Sequence, residues 1–234
     1  MLLLFDIDGT LLLRASDAHR DALHAALGEV HGVHDAGAIR TIDPSGRTDG
    51  EIARALLLAH GVSAERIDAD RVAVREATCR AYAELGPEDL SAAVAPGMAD
   101  LLAELAARTD VRLALLTGNF EPVARLKLAR AGLGRFFARG QGAFGSDGEV
   151  RAGLPAIARR RAGRDGVSYP REDTVVIGDT PRDIACARAD GVRCLAVATG
   201  RFGESELRAA DGVARDARAL RPLVVPASRT YRTR

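Results

Sequence analysis

Two carboxylates separated by one residue, Asp6 and Asp8, stand at the end of the apolar run Leu2-Leu3-Leu4-Phe5 and are followed at once by Gly9 and Thr10. Strand side chains alternate, so the spacing predicts both acids on one side of a strand's carboxyl end. Like charges crowded there repel and raise each other's pKa. A divalent cation is the simplest compensation. Gly9 allows a sharp exit and leaves room for a substrate.

Two further strand ends carry matching chemistry. Leu115-Leu116 runs into Thr117-Gly118-Asn119, whose hydroxyl and backbone N–H groups can hold phosphate oxygens at a helix start. The same tripeptide would also serve as a turn or a cap. Val175-Val176-Ile177-Gly178 runs into Asp179, followed by Thr180-Pro181-Arg182-Asp183. Thr180 suits a helix N-cap, Pro181 the first turn and Gly191 the closing position. Asp183 then falls in the first turn, where a negative charge is favourable on its own account. Asp179 has no such capping role. An oxygen-rich donor set without histidine suits magnesium over zinc.

These residues need strands to bring them together. Apolar runs without alternation occur at 2–7, 111–116, 174–177 and 192–198, with a weaker one near 136–144. Helical patterns fill the gaps at about 97–108, 120–132, 153–163, 181–190 and 203–210. This alternation predicts an α/β fold, a doubly wound, Rossmann-like parallel sheet with chemistry at the strands' carboxyl ends. The expected strand order is 5-4-1-2-3, counting the run near 136–144 as the third. Residues 15–90 read as helices only, an insert large enough for a small core of its own. The expected division is an α/β core of residues 1–14 and 91–225, a helical cap of 15–90, and a polar, frayed tail of 226–234. Val94-Ala95-Pro96-Gly97 marks the return into the core.

Composition narrows the class. With 33 basic and 32 acidic residues, no global field draws the chain to nucleic acid or membrane. The three cysteines, odd in number and widely spaced, argue against a disulfide framework and fit a reducing cytoplasm. The N-terminal apolar run has no basic flank and is broken by Asp6 and Asp8, so neither a signal peptide nor a span is expected. The run Arg159-Arg160-Arg161 reads as a solvated helix face. Gly140–Gly145, GQGAFG, has dinucleotide-loop spacing but no following helix, and reads as a loop. His31 and His34 have a metal-like spacing without a third ligand, and read as ordinary surface or core histidines.

The ordered set of D-x-D-G-T, helical insert, Thr-Gly strand end, basic residue and G-D-x-x-x-D resembles the haloacid dehalogenase superfamily across the whole chain. The resemblance implies Asp6 as nucleophile and Asp8 as general acid and then base. It implies phosphate contacts from Thr117, Gly118 and Asn119, and Mg2+ held by Asp6, the Asp8 carbonyl, Asp179 and Asp183. Its basic residue falls on Arg151, with Lys127, the chain's single lysine, as the rival. Lys127 otherwise reads as a solvated position on the helix after Thr117. Arg47, in Ser45-Gly46-Arg47-Thr48-Asp49, is placed over the site to select substrate. Asp8 points to phosphoryl chemistry, because dehalogenating members lack that second acid and need no metal. The implied activity is magnesium-dependent hydrolysis of a small phosphorylated metabolite through an aspartyl-phosphate, by a monomer or homodimer. The competing readings are a phosphosugar mutase, a metal-free haloacid dehalogenase, and a non-enzymatic phospho-receiver.

Overall fold

The computed structural model describes residues 1–35 and 42–225. Five parallel strands form one sheet: β1 (Leu2–Phe5), β2 (Arg112–Leu115), β3 (Thr174–Gly178), β4 (Arg193–Val197) and β5 (Gly212–Ala214). Their order is β2-β1-β3-β4-β5. In β1, Leu3 and Phe5 face one apolar cluster and Leu2 and Leu4 face another, so the strand is buried on both sides. That explains its unbroken hydrophobic run. The helices α4 (Met98–Ala106), α5 (Glu121–Arg130) and α9 (Ala217–Val224) cover the Leu3 face. The Leu2 face is covered by α6 (Leu154–Ala162), α7 (Pro181–Asp190) and the short α8 (Glu204–Leu207).

Register decides what the site contains. Phe5 pairs with Leu115 of β2 and with Ile177 of β3, so the three strands end nearly flush. Asp6, Thr117 and Asp179 therefore leave the sheet side by side.

Two expectations about the sheet are corrected. The run near 136–144 makes no strand; it contributes one parallel bridge, Ala143 beside Leu116. The fifth strand lies at the opposite edge, at 212–214, against β4. Only three residues long and partly exposed, β5 offers no hydrophobic run to read. The helix expected at 203–210 shrinks to α8. Arg159 is also not solvated: it is 6% exposed, with Nε 2.6 Å from Asp190 Oδ2, and it pins α6 to the end of α7.

Between β1 and β2 the first elements are α1 (Asp17–His31), α2 (Asp49–Ala59) and α3 (Ala64–Leu85). Leu23, Leu27, Leu56, Leu57, Ile67, Val74 and Tyr82 form their shared apolar cluster, which Phe120 and Val123 join from α5 and its approach. No strand occurs among the described residues from 15 to 90. Gly97, at φ 75°, turns the chain from this region into α4. The tail expected from residue 226 lies outside the described residues.

Candidate active site

Asp6 follows β1 directly and is 5% exposed. Its carboxylate lies 3.1 Å from a terminal nitrogen of Arg151, at the start of a one-turn 3-10 helix (Arg151–Gly153) leading into α6. The same nitrogen bonds Asp183. Asp183 is fully buried and has two duties. Its Oδ2 closes a capping box with Thr180, and its Oδ1 meets Arg151. The capping geometry is realised, and the same carboxylate also lies in the acid cluster.

Asp179 completes this acid pole. It accepts from Thr10 Oγ1 at 3.2 Å and is packed so closely that a Cβ on Gly9 would stand 2.1 Å from its Oδ2, and one on Gly200 1.7 Å. Gly9 also needs its positive φ of 86°. A side chain at either position would displace the carboxylate. Asp6, Asp179 and Asp183 each offer one oxygen, and these atoms lie within 4.8 Å of one another. Burial, followed by the charges of Asp6 and Asp183, pushes Asp179 up to about 8. Burial likewise pushes Asp6 up to about 7; the Arg151 charge pulls it down, while Asp183 and Asp8 push it up. Three buried acids against one guanidinium leave excess negative charge, which a divalent cation fits.

Asp8 departs from the sequence-based expectation of mutual elevation. Burial pushes its carboxyl up, but the Lys127 ammonium, by its charge and then by its hydrogen bonds, and the Asn119 amide hold it below its ordinary value. Lys127 Nζ lies 2.8 Å from both Asp8 oxygens, and Asn119 Nδ2 donates to Oδ2 at 3.0 Å. Lys127, expected in solvent, is 0% exposed. The guanidinium beside Asp6 is that of Arg151.

Thr117 is fully buried, and its Oγ1 accepts from the Asn119 N–H at 3.3 Å. Gly118 lets α2's approach come close: a Cβ there would stand 2.0 Å from the Arg47 carbonyl, and Gly118 O accepts from the Asp49 N–H at 2.9 Å. The segment 45–49 therefore sits on the strand ends as expected. Thr48 donates to the Glu149 carbonyl at 2.7 Å, and Arg182 to the Ser45 carbonyl at 2.6 Å. Arg47 lines the cavity but is partly committed, its guanidinium bonding the Asp43 carbonyl and Glu51. The glycine-rich stretch at 140–145 is a loop, with Gly145 N–H donating to the Asn119 carbonyl at 2.9 Å.

The cavity between the two regions has a volume of about 560 Å³ and is bounded by Asp6, Asp8, Thr117, Arg151, Asp179 and Arg47. Among the described residues, two buried polar atoms on this wall have no hydrogen-bond partner, Arg151 Nε and Asn119 Oδ1.

Sequence reasoning missed His19, which reaches this wall from α1, and Thr199, which donates to the Gly9 carbonyl at 2.6 Å, and it gave no role to Asp49 at the start of α2. None has a motif around it. For Lys127 a signal existed: a lone lysine in a chain that elsewhere uses arginine.

Fold and site together define an α/β protein whose buried carboxylates gather at the carboxyl ends of parallel strands. The chain belongs to the haloacid dehalogenase-like hydrolase family, whose model matches residues 3–188. It is a phosphatase. A phosphoglycolate phosphatase from Rhodospirillum rubrum is 30% identical over 200 residues, spanning 84% of this chain and 79% of the relative. Among solved structures, CbbY from Rhodobacter sphaeroides in complex with phosphate has a TM-score of 0.65 at 24% identity, covering 94% of this chain and 95% of its own. A hydrolase from Pseudomonas syringae reaches 0.63 at 20% identity over 96% and 97%. These two similarities show the fold. No described helix is long and apolar enough to cross a membrane.

Proposed function

We propose that this phosphatase hydrolyses a small phosphomonoester in a magnesium-dependent reaction through an aspartyl-phosphate on Asp6. The observation that carries the proposal is the Asp6 carboxylate itself. It is buried on the cavity wall beside Arg151, whose guanidinium puts positive charge next to the attacking oxygen. Asp6 Oδ attacks phosphorus and the ester P–O bond breaks, while Asp8, ionised at rest, relays the monoanionic substrate phosphate's own proton to the departing oxygen. Asp8 then takes a proton from water, which attacks phosphorus and frees Asp6 and inorganic phosphate. Splitting the displacement makes two easier steps of one hard one. Arg151, Thr117, Gly118 and Asn119 hold the phosphoryl oxygens, since such transfer depends mainly on alignment and charge.

Asp6, Asp179 and Asp183, with the Asp8 carbonyl, would hold Mg2+; an all-oxygen donor set fits it. When bound, it supplies positive charge to the transferring group and the acid pole. Residues 15–90 act as a cap over a core of 1–14 and 91–225, with Arg47 selecting the substrate. Similarity to the R. rubrum enzyme makes phosphoglycolate the first substrate to try.

The test is rapid acid quench of enzyme mixed with phosphoglycolate and Mg2+, followed by mapping of the labile phosphate. We expect it on the peptide containing Asp6, with inorganic phosphate released when no second hydroxyl compound is present and activity abolished by chelator. Turnover without trapped Asp6-phosphate, or full activity in chelator, would sink the covalent, metal-dependent reading.

A further inference from the structure

Lys127 is the single lysine of the chain, and its side chain is fully buried. Burying an ammonium is costly unless every proton finds an acceptor. Here all three do. Two point at the Asp8 oxygens, each at 2.8 Å, and the third at His19 Nδ1, at 3.2 Å. His19 Nε2 lies 3.0 Å from Asp49 Oδ2, which also accepts from the Phe120 N–H at 2.7 Å. Asp49 therefore takes the Nε2 proton, leaving Nδ1 as the lone pair that Lys127 requires. The Tyr82 ring lies 5.9 Å from the ammonium and stacks edge-on to His19 at 5.7 Å. Arginine's planar fork cannot converge on three acceptors arranged around one nitrogen, whereas an ammonium can.

We propose that Lys127 is a positioning residue that aims the Asp8 carboxyl at the leaving-group oxygen, and that His19 and Asp49 aim Lys127. The proposal rests on the reading of Asp8 as the acid. Lys127 comes from the core helix α5, whereas His19 and Asp49 come from α1 and α2. The aim of Asp8 is therefore complete only while those helices are seated on the strand ends. A preset acid gains rate because its orientation is settled before the substrate arrives.

A series of phosphomonoesters running from nitrophenyl to simple alkyl leaving groups tests this, read as kcat/KM so that only the first P–O cleavage counts. A nitrophenolate needs no proton and an alkoxide does. Folded Lys127→Met should lose roughly 30-fold or more on the alkyl ester, a portion of the ~10²–10⁴ of general-acid catalysis, and about threefold or less on the nitrophenyl ester. His19→Ala, which leaves the Asp8 pair in place, should show the same selectivity at about tenfold. It carries the test if Lys127→Met fails to fold. Equal loss on both esters, or no loss, in a folded variant overturns the proposal, because a merely structural lysine would not distinguish leaving groups. Asp8→Asn is the control. If it steepens the leaving-group dependence while neither Lys127→Met nor His19→Ala does, the positioning role alone fails. If Asp8→Asn does not steepen it, the acid role of Asp8 fails first.

Discussion

Asp6 and Asp8 stand two residues apart on one loop and belong to opposite electrostatic poles. Around Asp6 are two more buried acids and one guanidinium; around Asp8 are the Lys127 ammonium, His19 and the Asn119 amide. Burial pushes both carboxyls up. At Asp6 it wins and the group reaches about 7, whereas at Asp8 Lys127 and its neighbours win and the group falls below its ordinary value. Burial alone therefore does not set a carboxyl's character. The sign of its partners does, and this chain uses both signs within one turn of backbone.

The sharpest way to break this contrast is Asp6→Asn. Activity should fall by on the order of 10³-fold or more, as when a nucleophile is deleted. The metal-free protein should nevertheless melt higher at about pH 8, because one of three crowded acids has been neutralised. Phosphate release and thermal melts on the same sample check both halves. Retained turnover, or a lower melting temperature, would show that Asp6 is not the centre of an over-acidic pole.

Asp8→Ala should behave in the opposite sense, because it strands a buried ammonium. Breaking a fully buried pair costs about 3–5 kcal/mol. Asp8's side chain is 26% exposed and His19 still accepts from Lys127, so about 2–3 kcal/mol is expected. Urea unfolding measures it, and a change near zero would mean that Lys127 has other compensation.

The smallest expected effect is a pH slope. Asp6 and Asp179 have folded values raised to about 7 and about 8. A carboxyl raised on folding favours the fold while protonated. That contribution is full below its unfolded value and is lost as pH rises through the folded one. Melting temperature in chelator should therefore fall by several degrees from about pH 5 to about pH 8. Mg2+, which prefers the ionised acids, should flatten the slope, whereas Asp8 acts only at lower pH. A chelated protein that becomes more stable over this window would contradict the acid pole.

The chain's own pattern determined a good part of this. Apolar runs on both faces of β1, β2, β3 and β4 announce a covered parallel sheet, and acids at their carboxyl ends announce where the chemistry lies. Local pattern works in these places because strand alternation, burial and helix caps act over a few neighbouring residues. Arg151 was reached only through the family resemblance, with Lys127 as its rival; the structure sets the Arg151 guanidinium beside Asp6.

Lys127, His19 and Asp49 were decided only by the tertiary structure. Lys127 is 119 positions from Asp8 and 108 from His19. Nothing within either local segment states that an ammonium will be buried against a carboxylate from β1's exit. The helical pattern of α5 marks Lys127 as polar, and a polar residue on a helix is ordinarily in solvent. It is buried because the helices between β1 and β2 fold back over α5, with Tyr82, Phe120 and Val123 in one apolar cluster, and close over its head group. The edge strand β5 was invisible for a related reason: three residues, two of them partly exposed, become a strand only because β4 presents an edge to pair with. Sequence declares which groups can do chemistry, and long-range packing decides which charge each of them meets.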